Sequence, residues 1–170
     1  MPGSSLRDRR EAVVREHMDS ENRQAFDETL ATFAYPRYEL IATGEVHDGA
    51  DAVSRYYDET RRAFPDQRNE VHALHHTDDG VFVEFDLLGT HLGTLRGMPP
   101  TGRSFRCRMV ALFLFEGDRI VIERVYFDAA TILRQLGLAH DPLTRTGRLA
   151  MLLAHPITIG RAFFGNLTRR

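Results

Sequence analysis

The chain has no lysine: all 22 basic residues among its 170 are arginines. A Schiff base between the protein and a carbonyl substrate is therefore excluded, as is a lysine-bearing phosphate loop. Tryptophan is absent too, and cysteine occurs once, at Cys107, so there is no internal disulfide. A reducing, cytoplasmic setting is the simplest expectation for such a chain. No apolar run reaches bilayer length, and the opening residues, MPGSSLRDRREAVVREH, hold no apolar signal core. A formal net charge of -2 supplies no basic field for a nucleic acid. No Gly-x-Ser-x-Gly elbow occurs, and nothing pairs Cys107 with a histidine for thiol chemistry.

What is present reads as one globular domain of ordinary composition, 42% hydrophobic and 27% charged. Residues 1–8 read as a disordered lead-in. Helical character runs from Arg9 to His17. Asp19 or Ser20 can open a second helix carrying Phe26, Leu30, Phe33 and Ala34 on one face, stopped by Pro36. "YELIAT" reads as a short strand. After Asp48-Gly49, the residues Val53, Tyr56, Tyr57, Thr60 and Phe64 recur at helical spacing. The period then changes to two. Four strands follow, "EVHALHH", "VFVEFDLLGTHL", "FRCRMVALFLF" and "RIVIERVYF", with turns at Asp78-Asp79-Gly80 and Glu116-Gly117-Asp118. Ala129, Ile132, Leu133 and Leu136 mark a short helix closed by Gly137. Helices first and an antiparallel meander after them make an α+β fold. The domain spans 9–140, and 141–170 is a basic tail with five arginines against one aspartate. Pro156, Gly160 and Arg161 interrupt its apolar stretch, so a membrane span is not expected. The tail reads as a helix docked on the domain or on a second subunit, with a membrane-surface segment as the alternative.

Two residues stand out chemically. Alternation along the last strand puts Asp128 on the face of Ile120, Ile122 and Tyr126, where apolar surroundings would raise its pKa and suit a general base next to a carbonyl. Asp128 also directly precedes a helix and can be its N-cap, which would favour the charged form. His91 lies an even number of steps from Phe85 and Leu87, on an apolar stripe. It can orient a carbonyl and shuttle a proton, or be a hydrogen-bonded structural residue. The loop "RGMPPTGR" between two long strands suits a pocket lip, and equally a plain connection. In "HALHH" only His72 and His76 share a face, fewer ligands than zinc takes, so no metal is expected. Glu84 and Asp86 are expected to face solvent or to pair with Arg106 and Arg108.

The motifs "AFPDQ", "GTHLG", "GMPPTGR", "FEGDRIVIERVYFD" and "LRQLGL", in this order, resemble the SnoaL-like polyketide cyclase (ester cyclase) branch of the nuclear transport factor 2-like superfamily. The resemblance covers roughly residues 10 to 138. It implies a cone of curved antiparallel sheet around three helices, an apolar pocket, a homodimer or higher oligomer, and cofactor-free ring closure of a small carbonyl compound. It carries the acid/base role to Asp128 and its helper role to His91. Tyr35, Tyr57, Tyr126 and Arg124 are the candidate substrate contacts. Tyr126 stands where the family often has Trp. The alternatives on the same fold are a non-catalytic binder of hydrophobic ligands and an epoxide hydrolase or steroid isomerase. For the hydrolase, Arg124 is predicted on the face of Asp128.

Overall fold

The computed structural model describes residues 4–167, with side chains described to residue 161. Helix α1 (Leu6–Asn22) starts inside the segment expected to be a lead-in, because Ser5 and Asp8 form a capping box. The Ser5 hydroxyl accepts from the Asp8 amide at 3.2 Å, and the Asp8 carboxylate accepts from the Ser5 amide at 3.0 Å. The helix runs on through Asp19 and Ser20, which were expected to open a new one. Ser20 is buried and donates its hydroxyl proton to the His17 carbonyl. The break falls later, at Gln24 with a left-handed φ of 58°. A short α2 (Phe26–Ala31) follows.

Strand β1 (Arg37–Leu40) is joined by an unforeseen partner, β2 (Glu45–Asp48), before α3 (Ala50–Ala63). The meander is β3 (Arg68–His76), β4 (Gly80–Thr90), β5 (Ser104–Glu116) and β6 (Arg119–Phe127). The six strands form one sheet in the order β2-β1-β6-β5-β4-β3. Every pairing is antiparallel except β1 with β6. Odd-numbered residues of β4 and β5 face the helices: Val81, Val83, Phe85, Phe105, Met109, Ala111 and Phe113 are buried. This is the α+β fold that the sequence pattern implies, in the curved cone that the family resemblance implies.

The alternation breaks in β6. Leu114 pairs with Ile122 while its neighbour Phe115 pairs with Ile120, so Val121 is an extra residue, a β-bulge. A one-residue slip exchanges the faces of a strand. Ile120 is buried, but beyond the bulge the inward residues are Glu123, Val125 and Phe127.

Helix α4 (Ala129–Gln135) closes the cone, followed by α5 (Arg145–Ala154) and α6 (Pro156–Leu167). These last two pack against each other and make no comparable packing on the sheet or the other helices. Among the described residues, the tail's main packing is thus between its own two helices. Among the described residues, no helix is long and apolar enough to cross a membrane.

Candidate functional site

Between α1, α3, α4 and the inner face of the sheet lies a cavity of 770 Å³, a size suited to a small organic ligand. Its walls are largely apolar, with Leu40, Phe64, Phe85, Met109, Val125 and Phe127 among them. Glu21 from α1, Tyr57 from α3 and Asn69 from β3 also line it.

Glu21 marks the edge of a buried acid–imidazole group. His17, one helical turn earlier, is fully buried, with its ring edge-on to Phe33 and Phe113. Its Nε2 stands 3.1 Å from Glu123 Oε2 and 3.8 Å from Glu21 Oε1. Glu21 Oε2 accepts from the Asn69 side-chain amide at 2.7 Å. Neither His17 Nε2 nor Glu123 Oε2 has a well-aligned hydrogen-bond partner. The ring's tautomer follows from its neighbours. The Thr32 hydroxyl donates to the Thr29 carbonyl at 2.6 Å, so it accepts at 2.9 Å from His17 Nδ1, which carries the hydrogen. In the neutral ring Nε2 is then bare, and its contact with a carboxylate calls for one proton between them. Burial pushes the Glu123 carboxyl up to about 7, against the pull of His17. Burial disfavours the charged form of His17, but Glu123 and Glu21 outweigh it and raise its pKa. Ligand-type atoms of all three side chains lie within 4.8 Å of one another, close enough to share one small cation, a proton or a metal ion.

Tyr57 is buried and its hydroxyl lacks an aligned partner. Burial first, then the nearby Glu21 and Glu123 charges, lift its pKa well above the ordinary phenol value. It therefore stays a neutral donor at the cavity wall.

The residues singled out in the sequence fall elsewhere, Tyr57 excepted. Asp128 follows the last residue of β6 and caps α4. Its carboxylate accepts from the Ala130 amide at 2.9 Å, from the Thr131 hydroxyl at 2.5 Å and from Arg134 at 3.3 Å. It is 58% exposed. The Thr131 hydroxyl, with the helix amides, holds its pKa below the usual carboxylate range. The expected apolar setting and raised pKa are thus corrected to a charged helix cap, because the Val121 bulge turns even-numbered residues outward. The same reversal places Arg124 and Tyr126 on the outer face, where Arg124 donates to Glu39 at 2.6 Å and Tyr126 is exposed. Tyr35 is also exposed and away from the cavity. His91 keeps its inward face and is fully buried, but against Phe64, beside the cavity rather than lining it. Its Nδ1 accepts from the Thr101 amide at 3.2 Å, which leaves Nε2 as a buried N–H with no partner. Asp128 and His91 therefore do not meet across one enclosed cavity.

The loop after His91 does form a lip. Thr94, Leu95, Arg96 and Met98 line the cavity, and Arg96 pairs with Glu45 of β2. Gly93 lets the loop sit on the end of α3. Its amide and that of Leu92 donate to the Ala63 carbonyl at 3.1 and 3.0 Å. A Cβ there would stand 1.9 Å from the Arg62 carbonyl oxygen. Asp86 joins Arg106 and Arg108 at 2.7 and 2.6 Å on the outer face. The histidines of "HALHH" each meet a different carboxylate: His72 meets Asp86, His75 meets Glu84 and His76 meets Glu11.

The sequence reading missed His17, Glu21 and Glu123. Two of them were detectable. Val14, His17, Met18 and Glu21 recur at intervals of three and four, the core stripe of a helix, and a histidine and a carboxylate on that stripe are an anomaly. Glu123 was hidden by the bulge.

A curved sheet wrapped round helices over a blind cavity is the nuclear transport factor 2-like, or ketosteroid isomerase-like, fold. A Catenulispora acidiphila protein of ketosteroid isomerase-like fold superposes with a TM-score of 0.63 at 20% identity, over 74% of this chain and 92% of its own. A SnoaL-like protein from Jannaschia sp. CCS1 gives 0.71 at 17% identity, over 80% and 96%. Within that fold, the chain belongs to the SnoaL-like polyketide cyclase family, whose model matches residues 11–136. It is 32% identical over 108 residues to nogalonic acid methyl ester cyclase of Streptomyces nogalater, covering 62% of this chain and 81% of that protein.

Proposed function

We propose that the protein is a cofactor-independent cyclase of a small, largely apolar compound carrying two carbonyl groups. The observation that carries this reading is that Glu21 and Tyr57 both line the cavity, backed by the buried His17–Glu123 pair. Glu21 takes a proton from the carbon next to one carbonyl. The Tyr57 hydroxyl donates to that carbonyl oxygen as charge develops on it. The enolate carbon then attacks the second carbonyl of the same molecule. A carbon–carbon bond forms, the alkoxide takes the proton back from the Glu21 carboxyl, and the product is an isomer of the substrate. No electron or group is supplied from outside. His17 and Glu123 hold a further proton 3.8 Å behind Glu21 and set its charge environment. The likeness to a methyl ester cyclase supports the reaction class.

Two copies pair through the outer sheet face, where Leu112, Ile122 and Tyr126 are partly or well exposed. A reducing cytoplasmic setting suits the single buried thiol of Cys107.

The test is turnover of nogalonic acid methyl ester by Glu21→Gln and Asp128→Asn. Glu21→Gln is expected to lose activity by about 100-fold or more, and Asp128→Asn to keep it. Loss in Asp128→Asn with Glu21→Gln active returns the chemistry to the rim of the cone. Tight binding without turnover in the unmutated protein makes it a ligand-binding module instead.

A further inference from the structure

The tail beyond the cone is a built helix, not a loose extension. The Thr144 hydroxyl accepts from the Gly147 amide at 3.0 Å and donates to the Asp141 carbonyl at 2.9 Å. Gly147 is required there, because a Cβ would fall 1.8 Å from the Asp141 carbonyl oxygen. The start of α5 is therefore anchored on the chain leaving the domain. Past that anchor, among the described residues, α5 packs chiefly on α6. Leu143 is 83% exposed, Leu149 58%, Leu153 75% and Ile157 74%. An isolated helix this short is marginal in water, and such helices gain stability by burying an apolar surface against something else.

Charge says what that something is. From residue 142 onward there are five arginines and no acidic side chain, while residues 1–141 hold all 24 acidic residues against 17 arginines. The complement is an apolar layer edged with negative charge. A break at Pro156 and the absence of a long apolar helix exclude a span among the described residues and leave a helix lying along a surface.

We propose that the tail docks on an anionic lipid surface. Leu149, Leu153 and Ile157 enter the acyl boundary, and Arg145, Arg148 and Arg161 sit against lipid phosphates. The acidic domain is held off the surface and keeps its cavity free. This inference does not rest on the proposed reaction.

The test is co-sedimentation of the full chain with vesicles of phosphatidylcholine, alone or with roughly a third phosphatidylglycerol. Sedimentation with the mixed vesicles only, weakened by salt, is expected. Replacing Arg145, Arg148 and Arg161 with Ser should weaken it by about fivefold per arginine. Leu149→Glu with Leu153→Glu should abolish it, with circular dichroism confirming that the domain stays folded. The proposal is overturned if the chain fails to sediment, or if a chain lacking residues 142–170 sediments equally well. A tail-dependent dimer that ignores vesicles overturns it in favour of a second copy as the occupant.

Discussion

His17 Nε2 and Glu123 Oε2 stand 3.1 Å apart, one on the first helix and one on the last strand, with both side chains sealed from water. Such a pair is costly as two separated charges and cheaper with a proton held between them. Glu21 joins this pair to the cavity.

The pair makes stability fall as pH rises. Both groups are raised above their ordinary values, Glu123 to about 7 from 4.5, and His17 above 6.5. The folded state therefore holds more protons than the unfolded state across this window. The contribution is full below the unfolded carboxyl value and is lost as pH climbs through the folded values. Urea midpoints measured from pH 5 to 8 should decline, with a slope of at most about 1.4 kcal/mol per pH unit from one proton. Glu123→Gln should flatten the profile, and an unchanged slope in that variant refutes the shared proton.

Tyr57→Phe removes a hydroxyl that no protein group uses in an aligned bond. Folding should be unaffected or slightly improved. Turnover should fall by about 100- to 1,000-fold if the hydroxyl stabilises the developing oxyanion. A change in KM with kcat preserved would instead mark it as a simple binding contact.

Gly93→Ala places a Cβ inside the Arg62 carbonyl. The lip loop must lift from α3, at a cost of about 1–3 kcal/mol. Thermal unfolding measures the loss. An unchanged midpoint would show that the loop is not seated on the helix end.

Asp128→Ala deletes the cap of α4 and should cost about 1 kcal/mol. Asn keeps the capping oxygen, so Asp128→Asn should recover most of that loss. Chemical denaturation of the two variants side by side separates the cap from any catalytic role of the carboxylate.

Much of the architecture was legible in residue order. The change from helical to two-residue period after "FPD" marked where α3 gives way to the meander. Asp128 before an apolar helical triplet was legible as a cap, and alternation placed His91 on the inward stripe. The bulge was not legible. "RIVIERVYF" is apolar at Ile120, Val121 and Ile122 alike, so either parity after it buries hydrophobic side chains. Local pattern carries no preference between them.

The chain's own order of residues determined an α+β domain with helices before a meander, a turn-rich loop between its long strands and a basic tail. These follow from periodicity, backbone sterics and composition, which are local. Only the tertiary structure decided which carboxylates face inward. That choice depends on how Ile120 pairs at once with Phe115 and with Phe33, contacts far apart in the chain. It turned Glu123 toward His17 and left Asp128 at the rim.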